Sequence, residues 1–162
     1  MGEVMIAPLF ALLLQVTPVA PIVKGTALPP PGEEQTVLAV ANNLFDALSA
    51  RDKARALTFF RPDGAAQAVV EKPDGSRKLR HMTWPEFIGG IPDSGPVFVE
   101  KLTNPAVEID GDIAMIWSDY VATVDGKVIH CGVNHFDLVR EGGQWKILNI
   151  TWTQRTTGCP AA

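Results

Sequence analysis

The sequence predicts an α+β domain in which three N-terminal helices pack on one face of a curved, mostly antiparallel sheet. Helical segments occur only before Gly95, and four strand-like segments joined by short Gly-containing turns follow it. Helices that precede a run of paired strands are typical of this class. With 162 residues the chain fits one domain, which we place at residues 33–159.

The first 20 residues predict a secretory signal peptide. Their apolar run from Met5 to Leu14 is too short to span a bilayer and has the length of a signal-peptide core. Glu3 and Pro21 depart from the usual pattern, so a short N-terminal anchor and a cytosolic chain remain alternatives. Residues 21–32 contain four prolines and predict an extended linker. We therefore expect a periplasmic or secreted protein whose mature chain is not stably inserted in a membrane.

Three segments predict helices. Residues 33–50 carry apolar side chains at helical spacing, at Val37, Val40, Ala41, Leu44, Phe45 and Leu48. Asp52 is placed to cap a second helix through "KARALTFF", which the turn sequence "RPDG" would end. Thr83 and Glu86 have the spacing of a capping box, which predicts a third short helix in "TWPEFIGG".

The remaining segments predict strands. A first pair surrounds the "PDG" turn in "AAQAVVEKPDGSRKLRHMT". Four longer segments follow, separated by "DGD", "DG" and "EGGQ": "PVFVEKLTNPAVEI", "DIAMIWSDYVATV", "KVIHCGVNHFDLVR" and "WKILNITWTQR". Tight turns between strands join antiparallel neighbours, so these four segments predict a meander.

The turn at Asp125-Gly126 sets the register of the strands on either side, because its sequence predicts a two-residue type I′ turn. Side chains alternate between faces along each strand. The pairs expected are Val124 with Lys127, Val121 with His130, Asp119 with Gly132, Trp117 with Asn134 and Met115 with Phe136. A second turn at Gly142-Gly143 would place Ile147 beside Leu138, Asn149 beside Phe136, Thr151 beside Asn134 and Arg155 beside His130.

This register predicts two sheet faces of different character. The first face would meet the helices and end in a polar cluster of Asp119, His130, Asn134, Thr151 and Arg155. The second face would carry Ile116, Tyr120, Val133, His135, Leu148, Ile150 and Trp152. Because the second face is too apolar to lie in water, we expect it to pair with another copy of the chain in a homodimer.

The polar cluster offers the strongest chemical candidates. Asp119 would orient His130 as an acid/base pair, and Asn134 would hold a carbonyl or hydroxyl group of a ligand. Gly132, opposite Asp119, would leave open space for that ligand. The alternative is that Asp119, His130 and Asn134 only satisfy one another's hydrogen bonds.

Other residues are candidates for ligand binding. Trp117 and Trp84 would stack on a flat ligand, or belong to the core. His81 would lie at the pocket mouth, or be an exposed strand residue. Arg155 would bind a carboxylate at the rim or pair with an acidic side chain, and Thr151 would line the same wall.

Metal and cofactor sites are not predicted. His130 and His135 face opposite sides of one strand, and Cys131 is ~13 Å from His135 along it, so these side chains do not converge on a metal ion. The sequence holds no dinucleotide or phosphate-binding motif. Cys131 instead pairs with Cys159 in a disulfide, or both are free thiols. The net charge of -4 and the absence of a Lys/Arg cluster exclude a nucleic-acid partner.

Several segments resemble bacterial proteins of the nuclear transport factor 2-like superfamily, among them "LSARDKARALTFFRPDGA", "WSDY", "DGKVIHCGVNHFDLV" and "GGQWKILNITWT". Within it the chain looks like the SnoaL-like and lumazine-binding-like proteins. The resemblance implies a cone of three helices on a curved sheet, a pocket at its wide end and dimers through the outer sheet face. Relatives such as ketosteroid isomerase use buried Asp, Tyr or His groups, but the first helix here has no Tyr and Tyr120 is expected on the outer face.

The sequence therefore predicts an exported protein that binds a small, mostly apolar molecule in an internal pocket without a cofactor. The alternative is a cofactor-independent isomerase, dehydratase or cyclase that uses Asp119 and His130. A third hypothesis is an interaction protein whose cavity has collapsed. Fold alone does not decide among these three.

Overall fold

The computed structural model describes residues 31–161 and has the α+β fold that the sequence predicts. The predicted signal peptide and most of the predicted linker lie outside the described residues. In chain order the elements are α1 Glu33–Ser49, α2 Lys53–Leu57, β1 Phe60–Glu71, β2 Arg77–Met82, α3 Trp84–Gly89, β3 Phe98–Asp110, β4 Ile113–Val124, β5 Lys127–Glu141 and β6 Gln144–Gln154. The strands form one sheet in the order β2-β1-β6-β5-β4-β3. Only the β1–β6 pair among them is parallel.

The helices begin where their capping residues predict. Asp52 accepts a hydrogen bond from the backbone N–H of Arg55 at 2.9 Å, which satisfies a free donor at the start of α2. The Glu86 carboxylate accepts from the backbone N–H of Thr83 at 2.8 Å, as expected for a capping box at α3. The buried apolar residues of α1 are Val37, Ala41, Leu44, Phe45, Ala47 and Leu48.

The core lies between the helices and one side of the sheet, which we call the inner face. In β4 every second residue points into this core, and the buried positions are Ala114, Ile116, Ser118, Tyr120 and Ala122. Phe136 of β5 meets Phe45 of α1 edge to face, with ring centroids 6.0 Å apart. The opposite side of the sheet, which we call the outer face, carries the other residues of each strand.

A β-bulge at Ile129 shifts the register of β5 against β4. The turn at Asp125-Gly126 forms as predicted, with positive φ at both residues. Ile129 is then an extra residue in β5, because the observed pairs are Thr123 with Val128, Ala122 with His130, Tyr120 with Gly132, Asp119 with Val133 and Trp117 with His135. The predicted pairs of Asp119 and Trp117 are therefore wrong by one residue. Tyr120 lies on the inner face and not on the outer one.

A second bulge separates β6 from its predicted register. The observed pairs are Leu138 with Ile147, as predicted, followed by Asp137 with Asn149, Phe136 with Ile150 and Asn134 with Trp152. Leu148 is the extra residue. The prediction that Thr151 and Arg155 lie on the helix-facing side is therefore wrong, since both lie on the outer face. Trp152 takes the position beside Asn134 that was expected for Thr151.

The "RPDG" segment lies within β1 and does not form a separate turn after the second helix. Helix α2 already ends at Leu57, and residues 61–64 bulge out of the β1–β6 pairing between Phe60 and Ala65. Gly64 is required there, because a Cβ at this position would lie 1.7 Å from the carbonyl oxygen of Leu148. A substitution at Gly64 would therefore force β1 away from β6.

The outer face is less apolar than predicted, since Ile116, Tyr120, Ile150 and Trp152 lie on the inner face. It still exposes Ile113 and Trp117, which are 60% and 53% accessible. The Trp117 ring lies 5.8 Å from the ring of His135, its partner in the register. Among residues 31–161, none of the helices has the length and apolar character needed to cross a membrane.

Candidate functional site

A cavity of about 520 Å³ lies between the helices and the inner face. Most of its wall is apolar or aromatic, and the side chains concerned are Phe45, Leu48, Met82, Phe87, Ile91, Phe98, Phe136, Ile150 and Trp152. Arg80 and Glu86 also line it and are exposed residues, which places them at its opening to solvent. Glu100, His130, Asn134 and Gln154 supply the polar groups of the interior wall.

Glu100 and Asn134 form the hydrogen bond at the polar end of this cavity. The side-chain N–H of Asn134 donates to Oε1 of Glu100 at 2.6 Å. Glu100 pairs with Ala122, which pairs with His130, so these three residues form one row across β3, β4 and β5. Asn134 is 2% accessible, and a buried amide of this kind is fixed by the partner it binds.

The environment of the Glu100 carboxyl changes its acidity. Burial raises its pKa from 4.5 to about 7, and the hydrogen bond from Asn134 lowers the pKa by a smaller amount. The residue as a whole is only half-buried, whereas the carboxyl at its tip lies in the cavity wall. The surroundings of the carboxyl, and not the average over the residue, therefore control its titration. Near neutral pH both of its protonation states are populated.

His130 is held by Tyr120. The Tyr120 hydroxyl donates to the carbonyl oxygen of Thr153 at 2.9 Å, and its oxygen lies 3.2 Å from Nδ1 of His130. A carbonyl only accepts, so the single hydroxyl proton is used there, and we assign the proton of the neutral imidazole to Nδ1. Burial lowers the pKa of His130. The neutral ring therefore has its lone pair at Nε2.

Tyr120 remains a neutral phenol at this site. Burial raises its pKa, and the negative charge of Glu100 raises it further, while Arg155 opposes this change. The 1% accessible Tyr120 is therefore a fixed support for His130 and does not become a base near neutral pH.

Gly132 does not open space for a ligand, contrary to the prediction. It lies opposite Tyr120, and a Cβ at this position would be 1.9 Å from the carbonyl oxygen of Thr153. The missing side chain lets β6 approach β5, which brings the Thr153 carbonyl to the Tyr120 hydroxyl. Gly132 is thus required by strand packing.

The structure brings together only two of the predicted site residues, His130 and Asn134, at the cavity wall. Asp119 and Trp117 lie on the outer face because of the Ile129 bulge, so Asp119 does not orient His130. Thr151 and Arg155 lie on the outer face because of the Leu148 bulge.

The two candidates from the β2–α3 region are also outside the cavity. His81 is an exposed residue of β2 that pairs with Gln67, while its neighbours Arg80 and Met82 line the cavity. Trp84 belongs to the core: it is 3% accessible and stacks on Phe60 with ring centroids 4.0 Å apart. Its indole N–H donates to the carbonyl of Arg61 at 2.6 Å.

Sequence reasoning missed Glu100, Tyr120 and Trp152. A signal for Glu100 was present, since it alternates with Phe98 and Leu102 in β3 and is therefore a carboxylate at an apolar strand position. Tyr120 and Trp152 were assigned to the wrong face by the register. Among residues 31–161, no three His, Cys, Asp or Glu side chains are close enough to share a metal ion.

Cys131 and Cys159 form a disulfide, with their Cα atoms 5.6 Å apart. Cys131 is 1% accessible and pairs with Arg155 through backbone hydrogen bonds. The bond therefore attaches the segment after β6 to the strand that carries His130.

The chain matches a known protein family. Residues 32–153 match the model of a family described as "Putative lumazine-binding". A search of curated protein sequences gave no match.

Solved structures with the same fold have low sequence identity to this chain. A Nostoc punctiforme protein with a cystatin-like fold is 13% identical, with a TM-score of 0.62 over 82% of this chain and 97% of its own. An NTF2-like protein from Shewanella baltica is 15% identical, with a TM-score of 0.59 over 80% of this chain and 98% of its own. An NTF2-like protein from Cytophaga hutchinsonii is 12% identical, with a TM-score of 0.59 over 75% and 97%. The chain therefore belongs to the family described as "Putative lumazine-binding", and it has the fold of the NTF2-like proteins.

Proposed function

We propose that this protein binds a small, mostly apolar molecule in the cavity between its helices and its sheet. The observation that carries the proposal is the cavity itself, whose volume of about 520 Å³ is within the ~300–1,000 Å³ of known ligand pockets. Its wall is apolar except for a few polar groups at one end, which is the composition of a ligand site. The description of the matched family supports a small-molecule ligand.

A cavity-filling variant tests this proposal. Ile150→Trp would add an indole to the cavity wall, whereas Ile113→Trp would add the same group on the outer face. We expect the neutral fluorescent probe N-phenyl-1-naphthylamine to bind the wild type and the Ile113→Trp variant alike. The Ile150→Trp variant should lose at least tenfold in affinity. Equal binding by both variants, or no binding to any of the three proteins, contradicts the proposal, provided that circular dichroism shows the variants to be folded.

The hydrogen bonds at the polar end favour binding over catalysis. An isomerase or dehydratase has to donate hydrogen bonds to the oxyanion that forms in its transition state. The Tyr120 hydroxyl already donates to Thr153, and the proton assigned to His130 faces Tyr120. The donors left are the second side-chain N–H of Asn134 and the side-chain amide of Gln154, which also lines the cavity. Glu100 would be the base of the enzyme alternative, in place of the predicted Asp119.

We further propose a homodimer through the outer face. The three helices pack on the inner face, and exposed Ile113 and Trp117 on the outer face supply apolar surface to a second copy. Light scattering after size exclusion tests this: Trp117→Glu should give monomers where the wild type is a dimer. Leu57→Glu is the matched control, because Leu57 is also exposed but belongs to α2. A monomeric wild type at 100 μM would rule out this dimer.

Export to an oxidising compartment is the third part of the proposal. The Cys131–Cys159 disulfide supports it, because disulfides persist in the periplasm or outside the cell and are rare in the cytosol. Fractionation of expressing cells, with mass spectrometry of the N-terminus, is the test. A chain recovered from the cytosol with its first 20 residues intact would exclude export.

A further inference from the structure

We propose that the polar end of the cavity binds the protonated amine of a small aromatic ligand, with the Glu100 carboxylate as its counter-ion. The inference rests on the proposed function, since it names the class of molecule that the same cavity takes. Three observations support it: the acceptor groups at this end, the aromatic rings beside them and the balance of charge in the cavity wall.

Most of the polar groups at this end of the cavity are hydrogen-bond acceptors, and the side-chain amide of Gln154 in the wall adds both donors and an acceptor. One carboxylate oxygen of Glu100 accepts from Asn134 and leaves the other oxygen available. With its proton at Nδ1 beside Tyr120, His130 presents the lone pair of Nε2. The side-chain oxygen of Asn134 is a further acceptor. An ammonium group has three donors and no acceptor, so it matches this set better than a carboxylate or a carbonyl does.

Aromatic rings flank these acceptors. Phe98 lies beside His130, with ring centroids 6.2 Å apart, and Trp152 pairs with Asn134 in the register. Phe87 of α3 meets Trp152 edge to face at 5.7 Å. All three rings line the cavity. The face of an aromatic ring attracts a cation, so a carboxylate in a cavity lined by such rings is suited to an amine.

The charged groups around the cavity leave Glu100 as the interior anion. Arg80 of β2 and Glu86 of α3 lie at the opening and carry opposite charges. On the other strands the titratable groups near Glu100 are Tyr120 and His130, both neutral at pH 7, and Arg155 at the end of β6 acts on Tyr120 from the outer face. The net charge of -4 attracts a cation at long range.

Binding of a cation should depend on the ionisation of Glu100. With a pKa of about 7, the carboxyl is roughly 10% ionised at pH 6 and roughly 90% ionised at pH 8. The affinity for an amine that stays protonated throughout this range should therefore rise about tenfold between these pH values. Protonation of His130 at the acid end would weaken binding further, in the same direction.

Three probes of similar size and different charge test the inference by titration calorimetry. They are tryptamine, which is cationic, tryptophol, which is neutral, and indole-3-propionate, which is anionic. At pH 8 we expect tryptamine to bind at least tenfold more tightly than tryptophol, and indole-3-propionate most weakly. The advantage of tryptamine over tryptophol should decrease about tenfold on lowering the pH to 6.

Two variants assign the effect to Glu100. Glu100→Gln keeps an acceptor for Asn134 and removes the charge, so tryptamine should lose its advantage over tryptophol. Glu34→Gln removes the same charge at an exposed position of α1 and should keep that advantage. Equal affinity of tryptamine and tryptophol for the wild type, or an unchanged preference in Glu100→Gln, overturns the inference. If the naphthalene probe binds and none of the indoles does, the inference fails and the proposed function stands; if neither the naphthalene probe nor the indoles bind, both fail.

Discussion

Glu100→Gln should stabilise the protein at pH 8 and leave its stability nearly unchanged at pH 4. The carboxyl has a pKa of about 7 in the fold, against an ordinary value of 4.5 in the unfolded chain. A raised pKa in an acid means that the fold prefers the protonated form. The destabilisation is therefore absent below pH 4.5, grows between pH 4.5 and 7, and is constant above pH 7. Glutamine cannot ionise and does not have this cost.

The size of the effect follows from the same two values. The difference between 4.5 and about 7 corresponds to roughly 3 kcal/mol, at about 1.4 kcal/mol for each pH unit. Because the cavity opens to solvent beside Arg80 and Glu86, water reduces this cost. We expect a gain of about 2 kcal/mol in the free energy of unfolding at pH 8.

Urea unfolding followed by tryptophan fluorescence at pH 4, 6 and 8 measures this gain. Glu34→Gln is the control, because it makes the same charge change at an exposed position of α1. The control corrects for the effect of net charge. If Glu100→Gln gains no more stability at pH 8 than at pH 4, after this correction, the carboxyl is not desolvated and the reasoning about the cavity is refuted.

Two further changes test the packing of β5 against β6. Gly132→Ala should lower the free energy of unfolding by about 3 kcal/mol or more, because its Cβ would lie 1.9 Å from the carbonyl oxygen of Thr153. The control is Gly89→Ala, whose Cβ would meet no atom within 4 Å. This control should be neutral in the same urea assay. Cys159→Ser should cost about 3.5 kcal/mol from the loss of a cross-link that spans 28 residues. Dithiothreitol should lower the stability of the wild type. It should not change the stability of Cys159→Ser, in which Cys131 is already unpaired. An equal response of the two proteins to dithiothreitol would rule out the disulfide.

The elements of this fold could be predicted because their signals are local. The helix α1 follows from the spacing of its apolar residues, and α2 and α3 begin at the caps Asp52 and Thr83. The turn at Asp125-Gly126 has both residues in the positive-φ region that its sequence predicts. Each of these features is decided within a few residues of the chain, so neighbouring sequence was enough to locate it.

The candidate site could be predicted only in part, because faces depend on register. The register that a turn predicts for its two strands is right only as far as the first bulge. Ile129 and Leu148 are ordinary strand residues, and nothing in their sequence marks an insertion. A bulge of one residue moves all later side chains to the opposite face. Asn134 and His130 stayed on the inner face because both belong to β5, whereas their expected partners on β4 and β6 moved away.

The bulge at Ile129 also decides the chemistry of the cavity. Without it His130 would oppose Val121 and belong to the same face as Asp119, a carboxylate that in the structure lies on the outer face. With it, His130 opposes Ala122, whose other partner is Glu100. Glu100 and His130 therefore lie on either side of Ala122 in one row, and both line the cavity. The extra residue thus exchanges an Asp–His pair for a glutamate and an acceptor imidazole in the wall of one cavity, an arrangement suited to holding a cation.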